Sequence, residues 1–270
     1  HPKVNPYKKE IDKVHNLGKY CYYLEHLNII LGSYRFISND NRCKILNERI
    51  SEHLLKSSLE HKDFHADLLP YVKMKWSADQ AAILYSLWLY DKNNNTDISS
   101  NLISKWINYM DTYGVHKKTG LYICEVLGTR KYSKQPRGCA MSYMIHYMSN
   151  FKKSKAKSQW ELYKKYMMKD YIYASTFREF LPDFKHKMTP DSGPIILGNG
   201  VAATGLGLNA ASSMGDWKTY KKIVRLMNIF GNTFNGIEKI VGQNKLTGIG
   251  TDLLSTSIWF NAETKVNWYS

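Results

Sequence analysis

Cysteine is scarce: the four residues Cys21, Cys43, Cys124 and Cys139 form no C-x-x-C pair, which excludes a disulfide scaffold. Long apolar runs are missing as well. The longest, residues 81–90, is ten residues with a serine inside it, against the roughly 18 that a membrane span requires. Strand signals are sparse, so β architectures are disfavoured and the class reads as all-α. Acidic residues are outnumbered, 23 Asp and Glu against 38 Lys and Arg, for a net charge of +15. Such a balance suits acidic partners: nucleic acid, an anionic polysaccharide or a membrane surface. The lysines are dispersed, however. Their densest run, Lys152, Lys153, Lys155 and Lys157, carries no recognition-helix, zinc-finger or RNA-binding signature, so it reads as a solvated face and no nucleic-acid partner is expected. The chain begins at His1 rather than Met. A signal peptide or membrane tether upstream is compatible with that start and points to an extracytoplasmic setting, periplasmic or membrane-anchored, with oligomerisation left open.

What is present is a helical pattern. A hydrophobic fraction of 43% over 270 residues supports one sizeable core, and a single domain over 1–270 is the expectation. Three-or-four spacing of apolar side chains predicts helices over 10–37, 41–59, 78–90, 98–110, 138–150, 158–169, 217–230 and 250–260, with one more starting near Pro194. Within 121–127 a short hairpin strand is expected. Helices that follow a long polar loop start near Asp79, Cys139, Pro194 and Gly250, at separations of 60, 55 and 56 residues, and one step back lands on Tyr22 and Tyr23. A period of about 56 residues holding two helices describes a helical-hairpin repeat. First helices are rich in small residues and second helices carry lysines on one face, which assigns them as inner and outer. Five to six such hairpins closing on themselves give an α/α toroid, (α/α)6-like, with an open solenoid as the other arrangement.

The stretch 189–214, T-P-D-S-G-P-I-I-L-G-N-G-V-A-A-T-G-L-G-L-N-A-A-S-S-M, is the most crowded with small residues. Asp191 or Ser192 would cap a helix with Pro194 in its first turn. Glycines inside that helix each cost about 0.5–1 kcal/mol relative to alanine, which close backbone approach would offset. Gly198-x-Gly200 and Gly205-x-Gly207 both fit G-x-G-x-x-[GA], with Asp216 near the position of a ribose-binding acid. No buried strand precedes either match, so a close-packed helix is the better reading and no cofactor is expected.

If the inner helices run parallel, their N-terminal ends gather at one rim. The candidate catalytic residues there are Asp79, Cys139, Glu179 and Asp191. Trp76, Arg137, Ser142, Tyr143, His146, Arg178 and Ser192 are the candidate substrate-binding residues. Carboxylates in unlike environments divide acid and base roles, and an arginine holds its partner ionised. Asp79, Asp191 and Ser192 also suit helix caps neutralised by Arg137 or Arg178, and Cys139, between Gly138 and Ala140, suits a small buried hydrophobe. His61, Asp63, His65 and Asp67 alternate, so in extended chain they would share one side and reach a metal. With no second cluster of this kind in the sequence, no metal site is expected.

Four motifs resemble the linalool dehydratase/isomerase-like superfamily, in an uncharacterised bacterial branch. They are Tyr23-Leu24-Glu25-His26-Leu27-Asn28 with Gly32-Ser33-Tyr34-Arg35, then Trp76-Ser77-Ala78-Asp79, then Pro136-Arg137-Gly138-Cys139-Ala140-Met141-Ser142, and Asp191-Ser192-Gly193-Pro194 through Gly205. The resemblance covers about 20–215. It implies an (α/α)6-type barrel with a central cavity, and cofactor-free acid–base dehydration and isomerisation of a terpene alcohol by a carboxylate, tyrosine, histidine and cysteines. Asp79 and Cys139 are the positions that carry over; the family's second cysteine has no counterpart, Cys124 lying in an irregular stretch. The function expected is a cofactor-independent acid–base enzyme, a lyase, isomerase or glycosidase-like hydrolase, acting on a small hydroxylated molecule or glycan. The alternative is a non-catalytic toroid that binds an acidic polymer or glycan.

Overall fold

The computed structural model describes residues 5–184, 189, 192–241 and 261. The expected helix over 250–260, and Asp191 among the candidate residues, lie outside them. The described residues are mostly helical, in eight α-helices with a few short strands. The chain divides into two compact units, His1–Lys134 and Gln135–Ser270.

In the first unit, α1 (Cys21–Ser38), α2 (Lys44–Leu59), α3 (Ser77–Asn94) and α4 (Ser100–Tyr113) follow in order. The expected helix over 10–37 is shorter than its pattern. Gly18 takes φ +57° and its amide donates to the Asn16 side chain at 2.9 Å, a turn that stops helix from extending back past Cys21. Asn39 and Asn95, both at φ 53°, close α1 and α3 in the left-handed conformation that asparagine tolerates. The strand expected within 121–127 is β2 (Glu125–Gly128), which pairs antiparallel with β1 (Lys75–Trp76) and β3 (Lys131–Tyr132).

Side-chain contacts fix helix direction. Asn28 donates to Ser86 at 3.1 Å, Asn93 donates to the Gly32 carbonyl at 2.8 Å, and Arg35 donates to Asn94 at 3.0 Å, so α1 and α3 run parallel. Between them α2 runs the other way. Asn47 meets Asn28 and Arg35, whereas Ser58, farther along the same helix, meets Gln80 at 3.0 Å. Asn28, Asn47 and Ser51 are fully buried, so this network replaces water for groups that would otherwise be unsatisfied.

The second unit repeats the scheme with α5 (Gly138–Phe151), α6 (Lys153–Met167), α7 (Val201–Met214) and α8 (Trp217–Val241). Ser142 faces the Ala203 carbonyl at 3.1 Å and His146 meets Ser213 at 2.8 Å, so α5 and α7 are parallel too. Two hairpins sit between α6 and α7: β4 (Met168–Asp170) with β5 (Ser175–Phe177), and β6 (Ile195–Ile196) with β7 (Asn199–Gly200). The second corrects the expected helix start near Pro194. Leu197 and Gly198 both hold positive φ, 50° and 79°, which makes a two-residue type I′ turn, and α7 begins only at Val201. No helix among the described residues is long and apolar enough to cross a membrane.

The glycines of α7 differ in purpose. A Cβ at Gly207 would come within 2.6 Å of Phe177 Cδ2, and Phe177 is fully buried and stacked on Tyr163 with ring centroids 4.4 Å apart. A Cβ at Gly205 would meet nothing within 4 Å. Gly207→Ala should therefore destabilise by about 1–3 kcal/mol through overpacking. Gly205→Ala should stabilise by about 0.5–1 kcal/mol through helix propensity. Denaturant melts of the two variants should shift in opposite directions; shifts of one sign would remove the close-approach account of this helix.

Candidate functional site

The candidate residues are divided between the units. Trp76 and Asp79 belong to the first; Arg137, Cys139, Ser142, Tyr143, His146, Arg178, Glu179 and Ser192 belong to the second.

In the first unit the parallel helices bring Asp79, in the opening turn of α3, to Glu25 of α1, so that two distant motifs meet. Glu25 is fully buried, and no nitrogen or hydroxyl donates to either of its oxygens. His26 Nδ1 lies 3.4 Å from Oε1 but is directed to the Tyr22 carbonyl at 2.9 Å. Asp79 is half-buried, and its carboxyl is near enough to act electrostatically on that of Glu25. Burial is the main reason that Glu25 sits well above the usual carboxylate range, followed by the negative charge of Asp79 and by Cys21. Glu25 is therefore the member that holds its proton, and Asp79 the one that reaches solvent. Cys21, one turn before Glu25, is a thiol whose pKa burial pushes up to about 12. Sequence reasoning passed over Glu25 as a site residue. The signal was present: it shares the buried face of α1 with Cys21, Leu24, Asn28 and Leu31, where a lone carboxylate is out of place.

The alternating His61, Asp63, His65 and Asp67 form an ion-pair knot. Lys75 Nζ lies 3.2 Å from Asp63 Oδ1 and donates to the His65 carbonyl at 2.8 Å. His65 Nδ1 donates to the Asp63 carbonyl at 2.6 Å, and Nε2 accepts from Trp106 Nε1 at 3.1 Å beside Ser77 Oγ at 3.0 Å. Both imidazole nitrogens are thus engaged, and no group of three or more His, Cys, Asp or Glu among the described residues is placed to hold a metal. Burial lowers the His65 pKa to about 4.

In the second unit Glu179 fastens the start of α5. Its backbone carbonyl accepts from Gly138 N at 2.8 Å, and Oε2 accepts from Cys139 N at 3.0 Å. Oε1 accepts from Arg137 Nε at 3.0 Å and from the Cys139 thiol at 3.1 Å. The first two amides of the helix, which lack intrahelical partners, are both satisfied by this one residue. Gly138 has no room for a side chain, since a Cβ would fall 2.0 Å from the Arg178 carbonyl oxygen. Burial raises the Glu179 pKa, with Cys139 and Arg137 working against that rise. Arg137 Nη2 continues to Thr189 Oγ1 at 2.7 Å, and the amide of Thr189 donates to Ser192 Oγ at 3.0 Å.

Arg137, Cys139, Glu179 and Ser192 are therefore linked in one chain of contacts, and Ser192 closes its own turn instead of capping α7. Ser142 lies one helical turn below Cys139, 2.9 Å from the Tyr163 hydroxyl. His146 is farther down the helix on Ser213, Tyr143 packs against Tyr147 with centroids 4.8 Å apart, and Arg178 bridges to Asn199 through its backbone. Asp216, which mimicked a ribose-binding acid, accepts from Thr219 N at 3.1 Å to cap α8 and pairs with Lys164 at 2.8 Å.

Two buried titratable groups of the first unit, Glu25 and His65, should tilt stability in opposite directions. Above its unfolded pKa the unfolded chain releases the Glu25 proton that the folded chain retains, so Glu25 makes stability fall as pH rises. Glu25→Gln should raise the melting temperature at neutral pH and lose that advantage below about pH 4.5. His65, held neutral by the fold, makes stability fall as pH drops from about 6.5 to about 4, by up to roughly 3 kcal/mol, and His65→Gln should flatten that slope. Melting curves across pH that show neither change would overturn these assignments. Glu179→Ala should destabilise by about 3–5 kcal/mol in denaturant unfolding, because Arg137 is left buried without its carboxylate. No protein-family model matches the chain, and no curated protein matches it significantly.

Proposed function

We propose that the chain is a cofactor-independent acid–base enzyme acting on a hydroxylated substrate, with Asp79 as its catalytic carboxylate and Glu25 as the residue that positions and charges it. The observation carrying this reading is the Glu25–Asp79 pair: one carboxyl fully buried and held toward its protonated form, the other half-exposed, at the start of two parallel helices. Unlike environments for two adjacent carboxyls are how a protein obtains an acid and a base at one pH. In an elimination, Asp79 takes a proton from carbon and a proton held by the pair passes to the departing hydroxyl, which leaves as water. The pair ends with the single shared proton it began with. In hydrolysis the same carboxylate takes its proton from water.

The reading agrees with the resemblance to linalool dehydratase/isomerase-like proteins, since Glu25 and Asp79 both fall within the motifs that carry it. The α/α-toroid architecture is part of the same proposal. Its support is the order of packing inside each unit, where alternate helices are adjacent and parallel with an antiparallel helix between them. Glu179, Arg137 and Cys139 serve this reading as the clamp that fixes the start of α5.

Asp79→Asn should lower turnover by about 10²–10⁴-fold on whichever member of a panel of terpene alcohols and glycans the wild type converts. Glu25→Gln, which keeps the shape but removes the titrating carboxyl, should move the pH profile of turnover more than it moves KM. Full activity of Asp79→Asn with an unchanged pH profile in Glu25→Gln would remove the mechanism.

A further inference from the structure

The second unit carries apolar side chains where solubility alone would not place them. The tip of the β4–β5 hairpin is Tyr171-Ile172-Tyr173, exposed by 51%, 82% and 73%, and the tip of the β6–β7 hairpin presents Leu197 at 87%. These are turn residues, so they project from the surface without packing a helix face. The two tips are tied to one another and to lysines. Lys169 Nζ, on β4, donates to the Leu197 carbonyl at 2.7 Å, and Lys222 Nζ, on α8, donates to the Tyr171 carbonyl at 2.7 Å and to Asp170 Oδ1 at 2.7 Å. Arg178 lies under the Gly198 turn, with Nη1 3.5 Å from where a Cβ would stand. Beside the first tip, Lys164, Lys165, Lys218 and Lys222 line a cleft of about 370 Å³ together with Glu161, Asp170 and Asp216. Those acids are already paired, Glu161 and Asp216 to Lys164 and Asp170 to Lys222, whereas Lys165 and Lys218 are exposed and form no ion pair within 4 Å among the described residues.

From this surface we infer that the second unit binds the face of an anionic lipid bilayer, with the hairpin tips entering the headgroup boundary and the lysines meeting lipid phosphates and carboxylates. An isoleucine and a leucine on projecting turns gain by leaving water for acyl chain, and tyrosine rings suit the interface, where one edge is apolar and the hydroxyl stays wet. A soluble acidic polymer would match the cations but gives no use to Ile172 and Leu197. A protein partner would need an apolar surface broader than two turn tips. The net charge of +15 works in the same direction over a longer range.

Co-sedimentation of the full chain with phosphatidylserine-containing vesicles, and with phosphatidylcholine-only vesicles, tests the inference. Wild type should bind the former, with an affinity that falls as NaCl rises, and bind the latter far more weakly. The double variant Ile172→Ser with Leu197→Ser should lose about tenfold or more in affinity. Lys165→Gln with Lys218→Gln should lose about fivefold per lysine. Both pairs are exposed, so an unchanged melting temperature would show that the fold is intact. Failure of wild type to bind the anionic vesicles would overturn the inference, as would equal binding by the Ile172 and Leu197 variant. Undiminished binding to heparin by that variant, with no preference for vesicles, would place an acidic polymer on this surface instead. None of these outcomes depends on the acid–base chemistry proposed for Asp79.

Discussion

Two helices can lie side by side and parallel only if the chain returns along the full length of the first before starting the second. That return is what α2 and α6 supply, and most of the buried chemistry follows from it. Parallel neighbours bring equivalent ends together, so residues about 55 positions apart in sequence, such as Glu25 and Asp79, become neighbours. It also explains the polar seam of Asn28, Asn47, Ser51 and Ser86, where three helices converge and each amide finds its partner on another.

Much of this was legible in the sequence because the repeat is carried by small and apolar residues whose spacing reports directly on burial. The starts of α3, α5 and α8 lie within one or two residues of where the apolar spacing puts them, and the strand near 125 was legible too. The start of α7 was not. Pro194 and the small residues after it look helical by composition, yet a left-handed pair at Leu197 and Gly198 is a property of backbone torsion, which a leucine hides. The crowding that the glycines announced is real at Gly200 and Gly207, and Gly138 shows it more severely. Gly205 answers to no neighbour, so composition overstated the case there.

The candidate site was legible in part. Arg137, Cys139 and Glu179 were selected as unlike groups near helix ends, and they are joined through one carboxylate. Their sequence could not tell a reactive constellation from a clamp, since that depends on how many donors each oxygen receives. The reverse holds for Glu25, whose lack of any donor, rather than its presence on a helix, sets its chemistry. The alternation at 61–67 has a similar lesson: carboxylates and imidazoles at ligand spacing were satisfied by Lys75 and by Trp106, both outside the motif.

The cysteines, too few to staple the chain, gain a use from where they lie. Cys21 and Cys124 are buried in the first unit and Cys139 in the second, and none is in a disulfide. Each is a natural reporter of opening in its own half of the molecule. Alkylation rates resolved by peptide would time the two units separately, without a label being introduced.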